Sequence, residues 1–177
     1  ADRPSMHASR TSPLAVADGD VGRPYWRAQW QSVPSSTVPN PIDVATDYLQ
    51  AFTSNDPDAI AAMVSDGFRN EHQSALGSDC VGRDEYRRRL PHFLNSFTDR
   101  TYQIDDLVEY RREAVTDVVV RYRFFATYGD TPVEIPGVMW LTVRGALITR
   151  RVDTWDSLTF LQQIGQWTPD QIGDPPT

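Results

Sequence analysis

Asp153 is the residue of this chain whose type and position point most directly to chemistry. It lies in the run V-D-T-W-D (152–156), near the end of a β-rich stretch, where the inner side of a last strand would bury its carboxyl. Burying a carboxylate without a partner costs several kcal/mol or forces the group to hold a proton. A buried carboxyl that exchanges a proton is what general acid/base catalysis needs, so the sequence predicts Asp153 as a general acid/base.

Three further polar residues are candidates to act with Asp153. Asn70 and His72 fall on one face of a predicted strand, and Tyr48 falls on the apolar face of a predicted helix. Their amide, imidazole and phenol groups can hold a carbonyl group or a water molecule by hydrogen bonds. Two of them also have a structural interpretation: His72 as a hydrogen-bonded residue at a pocket rim, and Tyr48 as a core residue whose hydroxyl finds a partner.

The acids of the 152–156 run have structural interpretations as well. Asp153 would be structural if it formed an ion pair with Arg151 or His72 that fixes the end of the sheet. For Asp153 this alternative and the catalytic one both stay open. Asp156 precedes a predicted helix, and we expect it to cap the N-terminus of that helix.

Charge and composition exclude several classes of function. The chain has 177 residues, 40% of them apolar, and a net charge of −7, which is typical of one globular domain and argues against nucleic acid or an anionic membrane as a partner. All 17 basic residues are arginines, which excludes a Schiff-base lysine and a P-loop. Cys80 is the only cysteine, and we expect it to be an incidental thiol.

No cofactor, metal ion or membrane segment is expected. His72 and His92, the histidines of the predicted domain, lack the spacing of a metal-ligand cluster. The sequence contains no run of about 18 apolar residues that would span a membrane. Its first residues lack the basic start and apolar core of a signal peptide, so the predicted location is cytoplasmic.

The elements that position these residues follow from the hydrophobic pattern. Residues 1–40 are rich in proline, serine and polar residues and are predicted as an arm, partly disordered, and 167–177 are predicted as a loose tail. Pro91 should kink or split the third helix. Short connections between the last four strands indicate an antiparallel meander. Helices are expected from residue 41, after residue 56, over 84–97 and over 157–166, and strands over 68–73, 101–110, 115–128, 133–143 and 147–154.

This order of elements predicts one α+β domain over 41–166. The expected form is a cone-shaped α+β barrel, in which a curved, mostly antiparallel sheet wraps around helices. The cup between sheet and helices is a natural apolar pocket for a small molecule. Inward-facing apolar and aromatic side chains are predicted to line this pocket: Phe68, Tyr122, Phe124, Tyr128, Ile135, Met139 and Trp155.

The outer face of the predicted sheet carries arginines and an exposed tryptophan. Arg121 and Arg123 alternate with the apolar residues of their strand. Burying two unpaired arginines would cost more free energy than burying the apolar residues contributes, so both arginines should point outward. Trp140 falls on the same outer face. An exposed tryptophan there predicts a homodimer that forms through the outer sheet face.

Several local motifs resemble those of the nuclear transport factor 2-like superfamily, and in particular those of its SnoaL-like polyketide cyclases. The opening helix pair of that family resembles D-Y-L-Q-A-F-T-S-N-D-P-D-A-I (47–60), and the start of its third helix resembles G-R-D-E-Y (82–86). Its long strand and its closing signature resemble R-Y-R-F-F-A-T-Y-G (121–129) and V-D-T-W-D-S-L-T-F-L-Q-Q-I-G (152–165). The resemblance covers about residues 41–166 and implies the cone-shaped fold.

The superfamily includes SnoaL-type cyclases, limonene-epoxide hydrolases and ketosteroid isomerases, and the resemblance implies a different site for each. The hydrolase pattern has two carboxylates bridged by an arginine. Asp153 matches one carboxylate, and Asn70 and His72 stand where a polar pair would hold water, but 121–123 reads Arg-Tyr-Arg and lacks the second acid. One carboxylate cannot donate and accept a proton at the same moment, which disfavours epoxide hydrolysis.

The isomerase pattern has a helix tyrosine, a basic carboxylate and a protonated acid. Tyr48 matches the tyrosine, but His72 falls at the position of the base and Met139 near that of the protonated acid, which disfavours steroid isomerisation. A SnoaL-type cyclase needs one pocket carboxylate and polar groups that hold an enolisable carbonyl. Asp153 and the three polar residues proposed to act with it meet that need.

The sequence therefore predicts a cofactor-independent enzyme with Asp153 as its acid/base. The resemblance implies that it cyclises, isomerises or dehydrates an apolar, oxygenated small molecule of the kind met in secondary metabolism. The alternative is a non-catalytic ligand-binding or dimerisation module on the same fold.

Overall fold

The computed structural model of the protein describes residues 38–168. The predictions for the arm before residue 38 and for the tail after residue 168 lie outside the described residues. Every helix and strand predicted between these limits is present, and β2 is an addition in a segment predicted as a loop. The described elements are, in chain order, α1 (Pro41–Ala51), α2 (Pro57–Ala62), β1 (Val64–His72), β2 (Cys80–Val81), α3 (Arg83–Ser96), β3 (Phe97–Arg111), β4 (Thr116–Tyr128), β5 (Thr131–Arg144), β6 (Leu147–Trp155) and α4 (Ser157–Gln163).

Side-chain caps fix where three of these helices begin. The Asn40 amide oxygen accepts a hydrogen bond from the Ile42 N–H at 3.1 Å, which satisfies a donor that has no partner inside α1. The Asp56 carboxylate accepts from two N–H groups in the first turn of α2, at 2.9 and 3.1 Å. The Asp156 carboxylate accepts from the Thr159 N–H at 2.9 Å, so the predicted cap of α4 is confirmed.

Helix α3 runs through Pro91 and is not split there. Its buried stripe, Tyr86, Leu90 and Leu94, repeats every four residues and packs against the core on both sides of the proline. This packing holds the helix together where the proline removes one backbone hydrogen bond.

The strands form one sheet in the order β2-β1-β6-β5-β4-β3. The last four strands of the chain pair antiparallel with their sequence neighbours, which confirms the predicted meander. β1 joins the sheet beside β6 and runs parallel to it, which places His72 directly opposite Asp153. Parallel neighbours need a long crossover connection, so these two residues are close in space although most of the domain separates them in sequence.

The two faces of the sheet differ as the alternation predicts. Tyr122 is buried on the inner face, whereas Arg121 and Arg123 lie on the outer face, where the Arg123 guanidinium pairs with Asp105 at 3.2 Å. Trp140, also on the outer face, is 46% exposed. It belongs to an apolar row that crosses four strands through cross-strand register and consists of Val108, Val119, Trp140 and Val152.

Helices α1 and α3 pack against the inner face, and the core lies between them and the curved, unclosed sheet. This arrangement confirms the predicted α+β fold. No helix within residues 38–168 is long and apolar enough to cross a membrane.

Candidate active site

A cavity of about 610 Å³ lies between α3 and the inner face of the sheet. Its floor carries the polar groups of β1, β4 and β6, and its walls are aromatic. A mostly apolar cavity with a few convergent polar groups is the usual form of a small-molecule site. The aromatic walls include Phe93, Phe97, Tyr102, Phe124, Trp155 and Phe160.

The structure corrects the predicted pocket lining at two positions. Phe68 and Met139 point inward but are fully buried and do not reach the cavity. The Phe68 ring packs against the ring of Tyr86, with 4.9 Å between the centroids, and α1 packs over β5 on the side of Met139. Alternation predicts the face on which a side chain lies but not what covers it. The other five predicted residues line the cavity: Tyr122, Phe124, Tyr128, Ile135 and Trp155.

The Asp153 carboxyl lies on the cavity floor and is 2% exposed. The Tyr122 hydroxyl donates a hydrogen bond to Asp153 Oδ1 at 2.7 Å, and the Arg151 guanidinium forms an ion pair with Asp153 Oδ2. Arg151 precedes Asp153 by two residues, so both side chains lie on the inner face of β6, and both are buried. Of the two ion-pair partners considered for Asp153 from the sequence, Arg151 and His72, the structure shows Arg151.

Tyr48 lies behind Arg151, not in the cavity. Its hydroxyl accepts a hydrogen bond from Arg151 Nη1 at 3.3 Å and lies 2.5 Å from the hydroxyl of Tyr86. Burial raises the pKa of Tyr86, so this hydroxyl stays protonated. This position corrects the prediction that Tyr48 would contact a substrate directly. Tyr48 instead binds Arg151, whose guanidinium lies between Tyr48 and the cavity.

The charge of Arg151 is set by its buried partner. Burial alone lowers the pKa of an arginine, but the Asp153 charge together with the hydroxyls of Tyr48, Tyr102 and Tyr86 outweighs this and raises the pKa of Arg151 well above its usual range. The guanidinium therefore stays charged inside the protein. Arg151 Nη2 donates to Asp153 Oδ2 and so holds the carboxylate in one orientation, with Oδ1 turned toward the Tyr122 hydroxyl.

Asn70 and His72 stand beside this ion pair on β1. The Asn70 amide nitrogen donates to His72 Nε2 at 3.1 Å, which leaves the hydrogen of the neutral ring on Nδ1. Burial, and after it the positive charge of Arg151, lower the pKa of His72 to about 4, so the ring is neutral at pH 7.

Three buried polar atoms of this floor have no hydrogen-bond partner among the described residues. They are Asn70 Oδ1, His72 Nδ1 and Arg151 Nε. Nearly all buried polar atoms in proteins have a partner, so a group without one points to a ligand or a water molecule. Together they are one acceptor and two donors, and the three residues that carry them line the cavity.

The loop that follows β1 closes against His72. A Cβ at Gly77 would lie 2.1 Å from the His72 Cβ, so only glycine lets the chain pass this close. The Ser74 hydroxyl accepts from the Trp155 N–H at 2.6 Å and donates to the Trp155 carbonyl at 2.5 Å, which ties the loop to the end of β6.

Sequence reasoning did not predict the hydrogen bond of Tyr122 to Asp153. Tyr122 was expected only as an apolar wall of the pocket. The available signal is Gly137, which pairs with Tyr122 across β4 and β5. Because Gly137 has no side chain, the phenol of Tyr122 can pass directly over its Cα. That signal needs the register of the two strands, which the sequence does not give.

The fold and the cavity define a class of small α+β proteins that enclose an apolar pocket between a curved sheet and helices. A family model described as a SnoaL-like domain matches residues 45–151, and the chain belongs to this family. This match confirms the predicted resemblance to the SnoaL-like branch of the nuclear transport factor 2-like superfamily. A sequence search of curated proteins finds no match.

Solved structures share the fold at low sequence identity. A Catenulispora acidiphila protein with a ketosteroid isomerase-like fold, in complex with trimethylamine, is 20% identical, with a TM-score of 0.62 over 74% of this chain and 100% of that chain. PrhC from Penicillium brasilianum is 15% identical, with a TM-score of 0.61 over 73% and 89%. SalBIII, an epoxide hydrolase/cyclase-like enzyme of pyran ring formation in the polyether salinomycin, is 18% identical, with a TM-score of 0.57 over 67% and 92%.

Proposed function

We propose that this protein is a cofactor-independent acid/base enzyme that cyclises, isomerises or dehydrates an apolar, oxygenated small molecule. The observation that carries the proposal is the Asp153 carboxylate on the floor of an aromatic cavity, beside buried polar atoms that have no hydrogen-bond partner within residues 38–168. Unsatisfied buried polar atoms are rare in proteins, and three of them in one site support a ligand-binding role. SalBIII and the family match favour cyclisation among these reactions.

In this proposal Asp153 acts first as a base. Arg151 pairs with the carboxylate and holds its orientation, and aromatic side chains line the cavity around it. The carbonyl oxygen of the substrate accepts from His72 Nδ1, which is buried and has no partner among the described residues. A donor aimed at that oxygen stabilises the negative charge that grows on it as Asp153 removes the neighbouring proton.

Exchange of an acidic carbon-bound proton with solvent tests the base directly. The probe is 2-tetralone, an apolar bicyclic ketone, incubated with the enzyme in deuterium oxide and followed by proton NMR. We expect exchange above the buffer rate with the natural protein and a loss of about 100-fold or more with Asp153→Asn, in line with the usual contribution of a general base. Asn keeps the shape of the side chain but offers one acceptor oxygen to the two donors Tyr122 and Arg151, so the exchange is compared on variant protein whose folding is confirmed by circular dichroism.

Asp130→Asn is the matched control, because Asp130 is exposed in the turn after β4. It should exchange 2-tetralone at the natural rate. Undiminished exchange in folded Asp153→Asn would contradict the proposal.

A second candidate function is a non-catalytic ligand-binding module. The observation that favours it is the ion pair itself, because Arg151 and Tyr122 already occupy both oxygens of Asp153. This candidate predicts that 2-naphthol, the aromatic enol analogue of 2-tetralone, binds in the cavity while 2-tetralone exchanges only at the buffer rate. Fluorescence of 2-naphthol measures the binding.

Epoxide hydrolysis is less well supported. Arg121 and Arg123 point away from the cavity, and the residue between them that faces it is Tyr122, so β4 offers no second carboxylate. The site thus lacks the acid–arginine–acid arrangement that the hydrolase pattern requires.

The homodimer is proposed to form through the outer sheet face. The exposed side chains there are Trp140 at 46%, Val138 at 43% and Val108 at 63%, which form an apolar patch with the row described above. Trp140→Glu should convert a dimer to a monomer in light scattering after size exclusion. Leu158→Glu is the matched control, since Leu158 is 41% exposed on α4 and not on the strands that carry this patch. A monomeric natural protein would contradict the proposal.

A further inference from the structure

We propose that Tyr122 is the second proton-transfer group of this site, and that Gly137 is the positioning residue that brings its hydroxyl to Asp153. The inference rests on the proposed function and resolves its main difficulty, which is that one carboxylate cannot donate and accept a proton at the same moment. Through the phenol, the proton that Asp153 removes is delivered to a different atom of the substrate.

Tyr122 meets the geometric requirements of such a group. It is 3% exposed, lines the cavity, and its hydroxyl donates to Asp153 Oδ1 at 2.7 Å. Once the carboxyl holds a proton, it can donate to the phenol oxygen, and this hydrogen bond reverses its direction. The phenol hydrogen is then free to point at a substrate oxygen in the cavity.

Gly137 explains how the phenol of Tyr122 reaches across a neighbouring strand. Tyr122 pairs with Gly137 on β5, and Asp153 lies one strand further, on β6, opposite Met139. A Cβ at residue 137 would lie 2.5 Å from both the Cζ and the hydroxyl oxygen of Tyr122. Gly137 does not have a positive φ, so the backbone there does not call for glycine; the missing side chain is the requirement.

The proton steps balance for the dehydration of a β-hydroxy ketone. Asp153 removes the proton from the carbon beside the carbonyl, and those electrons form the carbon–carbon double bond. The bond from the β-carbon to its hydroxyl breaks, and the leaving oxygen takes the phenolic proton of Tyr122 and departs as water. The Asp153 carboxyl then returns its proton to the Tyr122 oxygen across their hydrogen bond, so both groups regain their starting state.

The environment of Tyr122 requires this direct return. Burial, and after it the Asp153 charge, raise the pKa of Tyr122 well above its usual range. A lasting tyrosinate is therefore unfavourable, and the phenol must be reprotonated as it gives up its proton. Asp153 is the neighbour that has just gained one.

Two probes of the same ring system test the relay. Exchange of 2-tetralone needs only the base, whereas 4-hydroxy-2-tetralone also needs a donor for its leaving hydroxyl and yields fluorescent 2-naphthol on dehydration. We expect Tyr122→Phe to lose about 100-fold more in kcat for the dehydration than in the rate of 2-tetralone exchange. Asp153→Asn should lose both reactions.

Gly137→Ala provides the second line of the test. It should lower kcat for the dehydration by about 10-fold or more, and it should add nothing to the loss in Tyr122→Phe, because both changes act through the same hydroxyl. Gly67→Ala is the matched control: Gly67 lies in β1, and a Cβ there meets nothing within 4 Å.

The outcomes separate the relay from the proposed function. If the natural protein exchanges 2-tetralone but does not dehydrate 4-hydroxy-2-tetralone, or if Tyr122→Phe retains the dehydration, the relay is wrong and Asp153 stands as a base. Equal losses of both reactions in Tyr122→Phe would assign Tyr122 a structural role and also overturn the relay. If the natural protein catalyses neither reaction, both proposals are wrong.

Discussion

Breaking the buried ion pair at one end should destabilise the protein far more than removing it altogether. Arg151→Met leaves the Asp153 carboxylate in a site where it is 2% exposed, with the Tyr122 hydroxyl as its remaining partner. The loss of one member of a buried pair costs about 3–5 kcal/mol, because the other charge stays buried without compensation. We therefore expect Arg151→Met to lose about that much of the free energy of unfolding.

The double variant Arg151→Met/Asp153→Leu removes both charges at once. Apolar replacement of a complete buried pair is often neutral or stabilising, and the remaining cost here is the Tyr122 hydroxyl, which loses its acceptor and with it about 1–2 kcal/mol. The double variant should thus lie within about 2 kcal/mol of the natural protein and be more stable than Arg151→Met alone.

Urea unfolding at pH 7, with thermal melting in parallel, measures both differences. For a chain of this length, 1 kcal/mol shifts the Tm by about 2–4 °C, so Arg151→Met should melt roughly 6–20 °C lower. If Arg151→Met were as stable as the natural protein, or if the double variant were no better than the single one, Asp153 would not be a buried charge held by Arg151.

Two further predictions concern residues near the site. The pKa of His72 is about 4 in the folded protein, against an ordinary value of 6.5. As the pH falls, the unfolded chain therefore binds the proton first. The free energy of unfolding should thus decline between pH 6.5 and pH 4, by at most about 3 kcal/mol. Urea unfolding at pH 7 and pH 5 should show a smaller decline in His72→Gln; an equal decline would refute this account. The buried Arg100 guanidinium donates to the Phe52 carbonyl at 3.0 Å and the Leu94 carbonyl at 2.6 Å, and so joins the ends of α1 and α3. Lysine lacks this planar fork, and Arg100→Lys should cost about 2 kcal/mol or more in urea unfolding; no loss would show that the fork is not required.

The local elements could be predicted because their causes are local. Asn40 and Asp156 cap their helices through neighbours two or three residues away, and the outward position of Arg121 and Arg123 follows from alternation along a single strand. The meander likewise follows from short connections. Each of these causes is contained in a few consecutive residues, which is what a sequence shows directly.

The candidate site could be predicted only in part, because its contacts depend on register between strands. The position of Asp153 follows from the sequence, but whether Arg151 or His72 pairs with it depends on side-chain rotamers, which alternation does not determine. The contact of Tyr122 with Asp153 depends on Gly137 in the strand between them. Alternation also could not show that Met139 is covered.

The parallel pairing of β1 with β6 has a consequence for synthesis on the ribosome. Asn70 and His72 are made early, but the strand that supplies Arg151 and Asp153 leaves the ribosome about 80 residues later, so no partly made chain can assemble the polar floor. Contacts over such a separation are slow to form. A nascent chain that stops before β6 would expose the flank of β1, and the arrival of β6 both covers that edge and completes the candidate site.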